Sequence, residues 1–163
     1  MKNKKDASQN STVFWKMAKD YVDHRLPEIR KVSPNTVKAY RDSLNKYIDY
    51  LEAEKNIRRT DISFSDFNKS NIIDYLDWML NVRKYAYKTC NLRITAIHAL
   101  LEYAANENST DLMSIYLDAY SVKGLKVTAN PVEYFEEHQM KALLAAPNEK
   151  TRTGRRNQMM LIL

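Results

Sequence analysis

Residues 84–108 read KYAYKTCNLRITAIHALLEYAANEN, and the spacing within them decides the fold. Cys90, Ile94, Ile97, Leu101 and Ala104 recur at steps of four and three, which places them on one face of an α-helix. Lys84, Lys88, Asn91 and Thr95 follow the same steps on the opposite face. One face is built to be buried. The other carries two cations, an amide and a hydroxyl, the groups a helix uses against phosphates and base edges. A plain solvated helix back shows the same residue types, so the pattern permits nucleic acid without requiring it.

The same reading extends outward in both directions. Ser33-Pro34 is a good N-cap followed by a proline at the first helical position, and Val37, Tyr40, Leu44, Ile48 and Leu51 then form a buried stripe running to about Lys55. Lys38, Asp42, Asn45 and Asp49 lie opposite, with Arg41 on the flank. Upstream, residues 1–11 are basic and polar and read as a frayed arm. A first helix starts at Ser11 or Thr12, buries Phe14, Ala18 and Tyr21, and is ended or kinked by Pro27. Residues 56–69 form a polar connection with apolar plugs at Ile57, Ile62 and Phe67. Ser70 or Asn68 then caps a third helix with Ile72, Ile73, Leu76, Met79 and Leu80 inward. A short fifth helix starts at Thr110-Asp111 and turns Leu112, Ile115 and Ala119 inward. The expected fold is all-α: a compact bundle of four to five helices spanning residues 12–120.

Residues 121–134, with Gly124 and Pro131, break the helical period and read as a linker. A further helix is expected over 135–146, with Glu136 and Glu137 in its first turn, Met140, Leu143 and Leu144 inward, and Pro147 stopping it. A basic loop, EKTRTGRR, precedes five successive apolar residues, Met159 to Leu163. Those five suggest an incomplete second domain, begun at about Val132 and cut short, its tail disordered or packed against another copy.

Composition narrows the classes. Of 163 residues, 44% are hydrophobic, enough for a core, and only two are glycine, which disfavours a turn-rich β fold. Lys and Arg number 26 against 20 Asp and Glu, a mildly basic balance compatible with a nucleic-acid partner. The lone Cys90 falls on the apolar stripe and reads as core in a reducing, cytoplasmic setting. No signal peptide, membrane span, metal cluster or phosphate-cradling glycine loop is visible, so neither a cofactor nor a small-molecule ligand is expected. Tyr40, Tyr47 and Tyr116 read as core, and His24, His98 and His138 as surface or boundary residues.

The combined pattern resembles the tyrosine recombinases, the phage-integrase and transposon-integrase family. SPNTVKAYRDSLNKYIDYL (33–51) resembles the family's first strong helix, and DISFSDFNKSNIIDYLDWM (61–79) its next loop and helix. YKTCNLRITAIHALLEYA (87–104) is similar to the family's Thr-x-Asn-x-Arg helix, matched at Thr89, Asn91, Arg93 and Ile94 but not at Leu92 or His98, where arginine is common. EEHQMKALLAAP and GRRNQMMLIL (136–163) resemble the opening of its catalytic domain. The resemblance implies a core-binding domain that clamps one side of duplex DNA, and a catalytic domain that clamps the other and cuts through a tyrosine nucleophile. It also implies that the catalytic arginines, lysine, histidines and tyrosine lie outside residues 1–163; the chain contains no His-x-x-Arg, and Arg155 and Arg156 precede the apolar run rather than follow it. The expected DNA-contacting residues are Lys38, Arg41, Lys84, Lys88, Asn91 and Arg93, with double-stranded DNA as the partner. A helical protein-interaction module, self-associating through the apolar C-terminus and the acidic patch of Glu133, Glu136 and Glu137, is the alternative.

Overall fold

The computed structural model describes residues 4–107, 109–127 and 134–162, and every regular element among them is helical. They form two units, one running through Val127 and the other starting at Tyr134. The first contains α1 (Lys4–Asp20), its π-helical continuation (Tyr21–Ile29), α2 (Pro34–Lys55), two 3-10 turns (Arg59–Asp61 and Phe64–Phe67), α3 (Lys69–Asn81), α4 (Tyr87–Glu107) and α5 (Ser109–Tyr120). The second contains α6 (Glu137–Ala145) and α7 (Arg152–Ile162).

Local chemistry sets the helix ends. The Ser33 hydroxyl accepts from the Thr36 amide at 3.2 Å, and Pro34 needs no partner for the N–H it lacks. Asn56 ends α2 in the left-handed region, letting the Ile57 amide reach back to the Leu51 carbonyl at 3.1 Å. Asn68 caps α3, its side-chain oxygen accepting from the Asn71 amide at 3.0 Å. Ile72, Tyr75 and Met79, all fully buried, form the inner line of α3. Ile73 was expected there but is 45% exposed, because one residue along a helix turns about a quarter circle away from that line.

The centre of the first unit is aromatic. Tyr47 is fully buried, with ring centroids 4.9 Å from Phe67 and 5.0 Å from Tyr75, and its hydroxyl donates to the Asp66 carbonyl at 2.9 Å. Burial pushes its phenol well above the usual pKa, so it stays a neutral donor. Tyr40 and Tyr116 are half-buried, and Cys90 is inside the core.

The N-terminus departs from the expected frayed arm. Residues 1–3 lie outside the described residues, but α1 is already formed at Lys4. Ser11 Oγ donates to the Thr60 carbonyl at 2.6 Å and Trp15 Nε1 to the Arg59 carbonyl at 3.2 Å, so α1 is fastened to the connection after α2. Phe14, fully buried, packs against Trp15, Phe64 and Phe67, each centroid 5.2 Å away. Pro27 does not stop the helix. The chain winds as a π-helix from Tyr21 to Ile29, a geometry that carries it past a residue with no N–H to donate.

Residues 121–127, expected to open a linker, pack on the first unit: Val122 is buried and Leu125 half-buried. The rest of that expected linker up to Glu133, with Val132 and the expected domain start, lies outside the described residues, as does Leu163. In the second unit the expected basic loop is largely helical, with Arg152, Arg155 and Arg156 in α7. The Thr151 hydroxyl accepts from the Gly154 amide at 2.9 Å, and a Cβ on Gly154 would stand 1.8 Å from the Asn148 carbonyl oxygen, so only glycine fits this turn. Met140 and Leu143, expected inward, are exposed; Met159 and Met160 are 66% and 65% exposed. Among the described residues no helix is long and apolar enough to cross a membrane.

Because Phe14 joins α1 to the aromatic centre, Phe14→Ala is expected to cost about 3–5 kcal/mol in urea unfolding of the chain. A loss below about 1 kcal/mol would mean that α1 is not part of the core.

Candidate nucleic-acid interface

The helices divide the six expected contact residues between two ends of the first unit. Asp23, on the π-helical segment, pairs with Arg41 at 2.9 Å, which fixes the start of α2 beside that segment. Tyr103, near the end of α4, donates to Asp20 and receives the Arg25 guanidinium over its ring, so the end of α4 lies there too. At the far end of α2, Glu54 accepts from Trp78 Nε1 at 3.0 Å and Lys55 pairs with Asp74 at 2.6 Å, both on α3. Arg83 lies over the Trp78 ring, just before α4 begins. Thus α2 and α4 run in opposite directions. Lys38 and Arg41 occupy one end, and Lys84 and Lys88 the other, about 20 Å away along α2.

Lys84 is not on α4. It lies in the left-handed region, at φ 54°, where it closes α3: the Tyr85 amide bonds back to the Met79 carbonyl at 3.0 Å. This position usually takes glycine, so a lysine here costs about 1–2 kcal/mol of backbone strain. Lys88 is exposed in the first turn of α4. Ala86, just before that turn, has no side-chain oxygen, which leaves the Tyr87 and Lys88 amides to solvent or to an anion.

Arg93 is packed rather than free. Its guanidinium carbon stands 4.2 Å from the Tyr85 ring centroid, and its Nη1 is buried without a hydrogen bond, as is the Tyr75 hydroxyl. Burial pushes the Tyr75 phenol up to about 12, against the pull of Arg93. Arg83 and Arg93 hold the Tyr85 phenol below its usual pKa. Asn91 is also engaged. Its Oδ1 accepts from the Leu125 amide at 2.7 Å, and its Nδ2 donates to the Leu125 carbonyl at 2.9 Å. A bidentate pairing with adenine would use the same two groups, so this arrangement does not leave Asn91 free to read a base. The polar stripe of α4 is in part a seat for backbone: about two turns further along, His98 Nε2 meets the Ala119 carbonyl at 3.0 Å.

What the fold does bring together is a set of unpaired cations drawn from stretches of chain that carry no acid. From 78 to 101 there is no Asp or Glu, yet this stretch carries Arg83, Lys84, Lys88 and Arg93. Residues 119–127 are likewise free of acids and bring Lys123 and Lys126 to either side of Leu125, which is held at Asn91, one turn from Lys88. Arg83, Lys84, Lys88, Lys123 and Lys126 are exposed and make no ion pair among the described residues. By contrast Arg41, Lys46, Lys55, Arg58 and Arg59 are each paired with an aspartate. Arg83, Lys123 and Lys126 were not among the expected contacts. The signal that marks them is the absence of acids along the chain, not helical spacing.

The family model described as phage integrase, N-terminal SAM-like domain, matches residues 19–108. A Sinorhizobium fredii protein whose name reads integrase/recombinase y4rC is 29% identical over 142 residues, covering 85% of this chain and 42% of that protein. A second from the same organism, integrase/recombinase y4rD, is 21% identical over 146 residues, covering 90% of this chain and 52% of its own. The chain thus spans about half the length of the curated relatives it matches. No solved structure matches it.

Burial holds the His98 pKa below its usual value, the bond to Ala119 opposes this, and Lys123 adds to it. The folded protein therefore resists a proton that the unfolded chain accepts below about pH 6.5, and stability must fall as the pH drops through that value. Urea unfolding at pH 7.0 and 5.8 should show this loss, and His98→Gln, which keeps a donor for Ala119, should lessen it. Equal losses in both proteins would remove His98 as the cause.

Proposed function

The chain belongs to the phage integrase family through its N-terminal SAM-like domain, and from that premise we propose that residues 1–163 are the duplex-DNA-binding part of a site-specific tyrosine recombinase. The observation that carries this reading is the group of exposed cations without ion-pair partners among the described residues, supplied by three stretches that contain no acid: the loop before α4, the first turn of α4 and residues 121–127. Unpaired, exposed lysines there are free to displace counterions from phosphates, the main sequence-independent source of DNA affinity. The α4 N-terminus adds unpartnered amides and the positive end of a helix dipole.

Lys84 and Lys88 are the phosphate contacts of this end, joined by Arg83. Lys38 and Arg41 form a second, weaker point of contact about 20 Å away, just over half a turn of duplex, with Arg41 held in place by Asp23. Arg93 positions Tyr85 and the loop before α4, and base reading falls to other residues. Strand cleavage through a phosphotyrosine link is work for the whole recombinase, and this part contributes binding and placement only.

The exposed Met140, Leu143, Met159, Met160 and Leu161 of the second unit favour a further role in self-association. Sedimentation of the chain with and without Met160→Lys tests it: a dimer lost on substitution supports the role, and a monomer at high concentration removes it.

Lys84→Glu with Lys88→Glu should weaken binding to a random-sequence duplex at least tenfold and flatten the slope of log affinity against log salt by about 2. Fluorescence anisotropy over a salt series reads both quantities. Unchanged affinity and slope would reject this end of the molecule as the DNA contact.

A further inference from the structure

We infer that Asn91 is a latch that seats residues 121–127 along α4, and that Lys123 and Lys126 on this seated segment are further phosphate-binding residues. The inference rests on the DNA-binding reading above for the role of the lysines, but not for the latch.

Both polar atoms of the Asn91 amide are used on one residue's backbone, Leu125, at 2.7 and 2.9 Å, across 34 positions of sequence. This matches donor to acceptor in the manner of one rung of a β ladder, but with a side chain on one side. Aspartate would set a second acceptor against the Leu125 carbonyl, and leucine would offer neither group. The segment passes close by: a Cβ on Gly124 would stand 3.1 Å from Asn91 Oδ1. Val122, buried, anchors the segment upstream, and His98 holds the Ala119 carbonyl at the end of α5.

The latch gives the segment a fixed course, and that course decides where its charges lie. Lys123 Nζ is held 4.4 Å from the Tyr120 ring centroid, and Lys126 follows directly after the latched residue. Both side chains are exposed, and neither has an ion-pair partner among the described residues. An unlatched segment would carry the same two charges on a mobile chain. Binding phosphates would then cost the ordering of that chain as well. Seated, they extend the cationic end formed by Arg83, Lys84 and Lys88 at no such cost.

The test uses the full chain and two readouts. Without DNA, limited trypsin digestion followed by mass spectrometry measures cleavage after Lys123 and Lys126. Asn91→Leu should speed it at least tenfold while leaving cleavage within α1 to α4 unchanged, which separates an opened latch from a misfolded protein. Gly124→Ala, which leaves Asn91 and every charge in place, should speed it by a smaller factor. With a random-sequence duplex, Lys123→Ala/Lys126→Ala should lower the salt slope by about 2 in the natural chain and by much less in the Asn91→Leu background. Unchanged cleavage in both Asn91→Leu and Gly124→Ala overturns the latch. A silent Lys123→Ala/Lys126→Ala pair in a chain that binds duplex overturns the role of the lysines and leaves the DNA reading standing. A natural chain that fails to bind duplex at 50 mM salt sinks that reading and the lysines with it, while the digestion still decides the latch.

Discussion

The first unit depends on a phenol in an oily place. Tyr47 is fully buried among Tyr50, Phe67 and Tyr75, and a hydroxyl there must find an acceptor or cost about 1–3 kcal/mol. The acceptor it finds is the Asp66 carbonyl, on the second 3-10 turn. One bond thus aligns α2 with the connection that leads into α3. The ring cluster then recruits α1 through Phe14 and the far end of α3 through Trp78, whose ring lies 5.3 Å from Tyr50. Position and identity are both specified: a phenylalanine would fill the space but would not choose a partner.

The charges are organised by exclusion. On α2, the 3-10 turns and α3, Asp49, Asp61 and Asp74 neutralise the basic residues beside them. The loop before α4, the first turns of α4 and residues 121–127 contain none. A net charge of +6 therefore understates the field at that end of the molecule. The cations there also lean on rings, with Arg83 over Trp78 and Lys123 over Tyr120, which steadies them without cancelling their charge.

Much of the bundle could be read from spacing. The stripes of α2 and α4, the Ser33-Pro34 start and the stop near Lys55 are all present as expected, because each is fixed by neighbours within one helical turn. The misses have physical reasons. Residues 4–11 are too polar to show a stripe, yet they are helical in continuity with a segment fixed by tertiary bonds from Ser11 and Trp15. Lys84 keeps the α4 period in sequence but closes α3 in space, a backbone choice that side-chain spacing does not record. Asn91 looked like a base reader because a free amide suits adenine; the same donor and acceptor suit a peptide group, and only the fold says which is in reach. Arg93, expected as a DNA contact, lies against the ring of Tyr85, eight positions upstream, a neighbour that helical spacing alone does not announce.

The π-helical segment leaves one further mark. Phe14, Met17, Tyr21, Val22 and Leu26 are all buried, and the step from Tyr21 to Leu26 is five where the earlier steps are three and four. The last step belongs to the wider winding, which spends an extra residue to return to the same side. A descendant that lost one position between Val22 and Arg25 would restore an ordinary helical step and keep Leu26 in the core. Single-residue gaps should therefore be tolerated in this lineage at this spot, where an ordinary helix of the same length would have its hydrophobic face thrown out of register by a deletion.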